Sequence, residues 1–201
     1  MTLPPTRPDF AIIAQWVRPQ TRVLDLGCGD GTLLHHLAEE KNVNGYGLEF
    51  DDAHIVQCID NGVNVIQMNL DQGLQEFDDD SFESVILSLT LPAMRHPERL
   101  LRDMLRVGRE GIVTFPNFAH WRARIDLGLR GRMPVTESLP HRWYDTPNIH
   151  LCTLNDFEDL CRRVDIRILE RRLLARGREY GPALRTLPNL FTETALYRFS
   201  R

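Results

Sequence analysis

Two rhythms of apolar and polar positions alternate along this chain. Short unbroken apolar runs end at glycine, proline, asparagine or aspartate, which is how buried strands read. They fall at Thr21–Leu26, Asn44–Glu49, Val63–Met68, Ser84–Leu89 and 111–115. Between them apolar residues recur at three- and four-residue steps, the period of a helix with one buried face. Such segments run from Asp9 to Val17, with Asp9 placed to cap, from Thr32 to Glu40, and from Asp51 to Ile59 with Ile55, Val56 and Ile59. A further one carries Leu100, Leu101, Met104, Leu105 and Val107 after Pro97. Asn61-Gly62 and Gly108 read as helix stops, and proline is tolerated in a first turn. Thr153-Leu154-Asn155-Asp156 resembles a capping box opening a helix to Arg163. Val164–Leu174 alternates as a strand, and 195–199 makes a final one. Strands and helices alternating at this density predict an α/β fold with a mostly parallel sheet and an added antiparallel hairpin at its edge.

The rhythm fails between 116 and 150. The first half of that stretch is aromatic and basic, with Phe118, His120, Trp121, Arg122, Arg124, Arg130 and Arg132. The second half, Pro134 to His150, has almost no periodicity, and from Pro140 on it is dense in Pro, His, Trp and Tyr. A long connection of this kind inside one domain is expected to be functional. It is read as an ordered cap over a pocket, inserted in a single domain spanning 1–201. Residues 1–8, rich in proline, read as an arm over the surface.

Composition narrows the picture. At 201 residues one domain is expected, and the net charge of −4 offers no general attraction for nucleic acid or anionic lipid. No apolar run approaches the roughly 20 residues that span a bilayer, so no membrane association is expected. The N-terminus lacks a signal-peptide pattern, and the four scattered cysteines form no CxxC pair. Reduced thiols and a cytoplasmic location are therefore expected.

Chemistry concentrates in Val23-Leu24-Asp25-Leu26-Gly27-Cys28-Gly29-Asp30-Gly31. Strand, glycine turn and helix, then a second strand ending in Glu49, are the sequence form of a nucleotide-binding βαβ unit. Glycine permits a sharp turn and close approach of backbone to ligand. The Glu49 carboxylate suits a ribose diol. A dinucleotide site favours GxGxxG, with pyrophosphate at the helix N-terminus. Here the glycines are at 27, 29 and 31, with Asp25 and Asp30 beside them. Two carboxylates repel pyrophosphate and suit an ammonium or sulfonium group, which favours S-adenosylmethionine over NAD(P).

With Glu49, Phe82-Glu83-Ser84-Val85-Ile86 and the appended hairpin, this turn resembles the class I S-adenosylmethionine-dependent methyltransferases. The resemblance implies a Rossmann-like, doubly wound fold with a sheet of about seven strands. Carried over, Asp25, Gly27 and Gly29 would line the methionine moiety and Glu49 would hold the ribose. Phe50 would pack on adenine, and Asn69, Leu70 and Asp71 would meet its edge, through Asn69 or Asp71. Ser88 and Thr90 would lie beneath the methyl group. A narrower resemblance rests on Phe115-Pro116-Asn117-Phe118-Ala119-His120-Trp121-Arg122, on Gly131-Arg132-Met133-Pro134-Val135-Thr136 and on Trp143-Tyr144-Asp145-Thr146-Pro147-Asn148-Ile149-His150. These strings are similar to the MetW family of methionine biosynthesis proteins. That resemblance implies a bacterial protein that works with a MetX-type homoserine O-acyltransferase, with S-adenosylmethionine or S-adenosylhomocysteine as cofactor.

Two function classes follow: an S-adenosylmethionine-dependent methyltransferase acting on a small molecule, or an accessory protein that binds the cofactor and supports or regulates the acyltransferase. Tyr144 and His150 are the candidate catalytic residues, because histidine titrates near neutrality and either side chain can orient an acceptor. Trp121 with Arg122, Arg124, Arg130 and Arg132 reads as a partner interface, since Trp and Arg are enriched at hot spots. His150, Cys152 and Cys161 do not complete a four-ligand metal set, and Asp78-Asp79-Asp80 lacks the spacing of a calcium loop. No metal is expected.

Overall fold

The computed structural model describes residues 7–179 and 186–201. Five strands run parallel: β1 (Arg22–Leu26), β2 (Asn44–Glu49), β3 (Asn64–Gln67), β4 (Phe82–Ser88) and β5 (Gly108–Pro116). Helix α1 (Pro8–Trp16) precedes them, and α2 (Thr32–Lys41), α3 (Asp52–Asp60) and α4 (Pro97–Val107) connect them. Only a short 3-10 turn, Leu70–Gln72, lies in the β3–β4 crossing before β4. Two more helices, α5 (Trp121–Gly128) and α6 (Leu154–Arg163), come before β6 (Arg167–Ala175). The two-residue β7 (Arg178–Glu179), the short α7 (Pro188–Phe191) and β8 (Thr194–Ser200) complete the chain.

The strand order is β3-β2-β1-β4-β5-β8-β6-β7. Parallel strands read as unbroken apolar runs because both faces are covered. Val23, Ile86 and Ile112 go to one layer, with Phe10, Ile13, Trp16, Leu34 and Leu37. Their neighbours Leu24, Val85 and Val113 go to the other, with Leu101, Met104, Phe157 and Tyr197. Alternate residues thus serve opposite cores, as strand pleating requires. The order reverses between β1 and β4, which opens a crevice at the carboxyl ends of these strands. The site described below lies there.

The sheet has eight strands where about seven are implied. The final strand is not the outermost member of its hairpin: β8 is inserted between β5 and β6, antiparallel to both. Capping agrees in detail at two helices. Asp51 accepts hydrogen bonds from Ala53 N and His54 N, and Thr153 accepts one from Asp156 N. Two expectations need correction. Helix α3 buries only Cys58, while Val56 and Ile59 face outward, because it covers the short β3 at the rim of the sheet. Asp9 does not cap α1. Arg7 holds the cap position, and the Asp9 carboxylate turns inward, 4% exposed. Of the surface arm expected at 1–8, Arg7 instead caps α1 and Pro8 opens it, and residues 1–6 lie outside the described residues. No helix among the described residues is long and apolar enough to cross a membrane.

Candidate functional site

A cleft of about 390 Å³ opens at the topological switch point, within the size range of small-molecule sites. Its walls include Arg7, Phe10, Asp25, Gly27, Cys28 and Ser88. The glycine turn forms its floor. Gly27, Gly29 and Gly31 all have positive φ, at +69°, +57° and +77°. At Gly27 a Cβ would also lie 2.9 Å from Thr90, so conformation and space both require glycine there. The backbone N–H groups of Gly27 and Cys28 donate to Leu48 O, which ties the turn to β2.

Glu49, the last residue of β2, accepts from Gly29 N at 2.9 Å through Oε2. Its Oε1 accepts from Phe50 N and Asp51 N at 2.7 and 3.0 Å. The acid is thus fixed at the lip of the glycine turn with both oxygens oriented by backbone donors. Phe50, beside it, is 66% exposed, a free apolar face at the rim.

Asp25 behaves differently from every other acid near the turn. It is 2% exposed, and its Oδ1 has no hydrogen-bond partner. Burial is the main reason its carboxyl is pushed up to about 7, with Glu49 and Asp9 adding to the rise and Arg7 opposing it. An orphaned buried oxygen of this kind costs free energy unless something meets it. An ammonium group in the cleft would do so. Asp30, by contrast, accepts from Thr32 N at 3.0 Å and serves the start of α2. Both acids border the cleft, but only Asp25 has a buried oxygen without a partner.

Ser88, at the end of β4, lines the same cleft. Its Oγ lies 3.1 Å from Thr114 Oγ1 and accepts from Arg7 Nη2 at 2.7 Å. Leu89 then takes φ +58°, rare for a branched side chain, held there by hydrogen bonds to Thr114 O and Oγ1. The apolar run around 84–89 hides this turn, and nothing in the sequence marks Arg7, Asp9 or Thr114 as its partners.

The remaining sequence candidates stand apart. Asn69, Leu70 and Asp71 follow β3. Asn69 accepts from Asp71 N, and Asp71 accepts from Arg95 N at 3.0 Å. None of the three lines the 390 Å³ cleft. Tyr144 is 61% exposed, and its hydroxyl accepts from Arg142 at 2.9 Å. His150 is exposed, with Nε2 lying 3.4 Å from Arg95 O. No residue of 116–150 lines the cleft. That segment docks instead on the loop after β4, where Ile149 N and His150 N both donate to Pro92 O. It forms a shallow recess of its own, lined by Phe118, Met133, Trp143 and Leu151 among others. His120 is buried, and burial lowers its pKa while Glu193, 3.9 Å away, opposes the shift. Among the described residues no group of three His, Cys, Asp or Glu is placed to hold a metal ion. All four cysteines are free thiols.

Fold and crevice together define the class I S-adenosylmethionine-dependent methyltransferase fold, and solved structures agree. A methyltransferase of this kind from Mesorhizobium loti matches 96% of this chain and 98% of its own, with TM-score 0.71 and 16% identity. One from Archaeoglobus fulgidus covers 96% of this chain and 93% of its own, with TM-score 0.65 and 14% identity. The [4+2]-cyclase SpnF also matches, at TM-score 0.68 and 17% identity over 96% of this chain and 80% of its own. Within that class the family is specific. The profile of the family described as methionine biosynthesis protein MetW matches residues 7–199, and the chain belongs to that family. A bifunctional methionine biosynthesis protein MetXA/MetW from Rhodopirellula baltica is 35% identical over 96% of this chain. The chain spans about a third of that relative's length (32%).

Proposed function

We propose that this chain binds S-adenosylmethionine or S-adenosylhomocysteine in the glycine-turn cleft and supports or regulates a MetX-type homoserine O-acyltransferase in methionine biosynthesis, in the cytoplasm. The observation that carries the partner is the Rhodopirellula relative, in which MetXA and MetW share one polypeptide. Fusion raises the effective concentration of one module at the other, which is useful only if the two act together. The ligand reading rests on an orphaned Asp25 in the crevice for an ammonium, and on two residues beside the glycine turn but outside the cleft lining: an oriented Glu49 for a ribose and the exposed Phe50 for adenine to pack on.

The segment 117–151 supports the accessory role. It holds ten of the seventeen large apolar side chains exposed among the described residues, so it is the least self-sufficient surface of the molecule. Trp143 is 73% exposed and Leu129 83%. Trp121, against which Arg122 stacks, and Arg122 itself also line a second, open cleft of about 470 Å³ with Arg176, Arg178 and Phe191. Aromatic and arginine residues in such recesses are the side chains partners tend to anchor on.

A second reading keeps methyl transfer to a small molecule, and the methyltransferase neighbours favour it. It requires an acceptor-side group in the cleft, and neither Tyr144 nor His150 lines it. Fold alone does not decide, since function belongs to the site. The deciding experiment measures acyltransferase rate with and without this chain across a range of S-adenosylmethionine concentrations. A rate that depends on both is expected. Tight cofactor binding with no effect on the acyltransferase would sink the accessory role.

A further inference from the structure

We propose that the open cleft beyond the carboxyl end of β5 docks an acidic segment of the acyltransferase, with Arg122, Arg176 and Arg178 receiving its carboxylates and Trp121 its apolar side chains. This rests on the accessory reading above and names the chemistry of the surface through which it acts.

The cleft, of about 470 Å³, is assembled from stretches distant in sequence. The start of α5 brings Trp121 and Arg122, and the turn between β6 and β7 brings Arg176 and Arg178. Glu193 fastens the two together. Its backbone O accepts from Asn117 N, its Oε2 accepts from Arg176 N at 2.6 Å, and its Oε1 lies 3.9 Å from Nε2 of the buried His120. The other acid of the lining, Glu179, accepts from Arg172 at 2.9 Å. Both acids therefore have work inside the chain. The three cations do not. Among the described residues none of the three guanidinium groups has a hydrogen-bond or ion-pair partner, and Arg122 lies on the Trp121 ring, 5.3 Å from its centroid. Residues 1–6 and 180–185, outside the described residues, contain no Asp or Glu, so this chain holds no further side-chain carboxylate for them.

The turn carries a second, independent sign. Ala175 pairs with Arg178, so Arg176-Gly177 is a two-residue hairpin loop, and both residues have positive φ, +49° and +68°. A loop of this kind favours Asn-Gly, because a long side chain resists the left-handed region. An arginine there costs turn stability, and residues held in sparse conformations concentrate at functional sites. Its side chain lines the cleft. A chain of net charge −4 thus turns three guanidinium groups and a half-open indole, 37% exposed, into one recess. Arginine forks match carboxylates, and Trp with Arg is the pairing on which bound segments anchor. Nucleic acid fits less well, since three arginines on an acidic body leave its other phosphates unmatched. Simpler roles exist one by one: Arg122 covers an indole, and Arg178 keeps another strand off the edge of β7. They do not account for Arg176 in a turn that disfavours it, or for all three in one cleft.

The test is surface plasmon resonance of the full chain over the immobilised MetX-type homoserine O-acyltransferase of the same organism, at about 50 and about 500 mM salt. Wild-type association is expected to be about tenfold faster at the lower salt. Arg122→Ala, Arg176→Asn and Arg178→Ala together are expected to weaken binding at low salt by about tenfold or more and to remove most of the salt dependence. Lysine at all three positions restores that dependence, because charge steers the encounter. Arg109→Ala, at the opposite end of β5 and beside Glu83, is the charge control and leaves binding within about twofold. Two readouts exclude misfolding: Arg176→Asn alone does not lower the melting temperature, and the triple variant keeps its S-adenosylhomocysteine affinity within about threefold. A triple variant that binds like wild type, or a wild type that binds a single-stranded oligonucleotide more tightly than the acyltransferase, overturns the assignment of the cleft and leaves the accessory reading standing. Wild-type chain that does not bind the acyltransferase at all overturns the accessory reading and this proposal with it.

Discussion

The glycine-turn crevice and the segment 117–151 are built in opposite ways. In the crevice, backbone and side chain fix one another. Gly27 leaves no room for a Cβ beside Thr90, Glu49 is held by three N–H groups, and Thr114 turns Leu89 into a strained conformation. In 117–151, hydrogen bonds are mostly local, such as Asp145 to Arg142 N and Thr136 to Leu139 N, and large apolar side chains face outward. A crevice fixed in this way suits the small ligand proposed for it. A surface that is apolar and locally held is prepared for something large enough to cover it. Hydrogen bonds tie the second region to the loop after β4, at Pro92 and Arg95.

The contrast breaks most visibly at Gly27. Gly27→Ala puts a Cβ 2.9 Å from two Thr90 atoms at a backbone angle L residues avoid. A loss of about 2–4 kcal/mol in denaturant-derived stability is expected, together with loss of ligand binding. A variant of wild-type stability would show that the turn is less constrained than described.

Asp25 gives the next effect, and its sign can be worked out. Its folded-state carboxyl is raised from 3.8 to about 7, so between those values the folded chain holds a proton the unfolded chain has lost. Stability therefore falls as pH rises through this window, and the cost is fully present above about 7. Asp25→Asn removes that cost and is expected to be more stable than wild type at pH 8, by at most about 4 kcal/mol, with little difference at pH 4. It should bind S-adenosylmethionine poorly at both. Wild-type affinity for the ligand should climb with pH to about 7 and then level. Melting curves of the two proteins at several pH values check this, and a destabilised Asn variant at pH 8 would contradict it.

Smallest on stability are changes in the outward-facing segment. Trp143→Ala, Tyr144→Phe and His150→Ala are each expected to alter unfolding free energy by under about 1 kcal/mol and leave cofactor affinity within about threefold. Trp143→Ala should nevertheless weaken capture of the acyltransferase. Undiminished capture by Trp143→Ala combined with Trp121→Ala would remove this face from the interface.

The crevice was legible in sequence because its demands are local. Strand, glycines and acid lie within residues 23–49, and each is a residue type that the turn chemistry forces. The cap at Thr153 and the stop at Gly62 were readable for the same reason. Arg7, Asp9, Ser88 and Thr114 were not readable as a network, because hydrogen bonds across 26 to 81 residues of chain leave no periodic mark. Asp9 misled for a physical reason: its carboxylate is taken by Arg7, two positions earlier, and turned inward to accept from Ser88 Oγ, a partner that only the tertiary fold supplies. The segment 116–150 misled in another way. Its aromatic density signals contact without saying with what, and the expected position over the pocket is not where its backbone bonds lie.

The division of labour itself is tested most directly by titrating S-adenosylhomocysteine calorimetrically into wild-type chain and into the double variant Trp121→Ala, Trp143→Ala. Saturable 1:1 binding, equal in the two proteins within about twofold, is the result predicted. Absence of binding in the wild type, or its loss in the double variant, would contradict a ligand crevice that works independently of the 117–151 face.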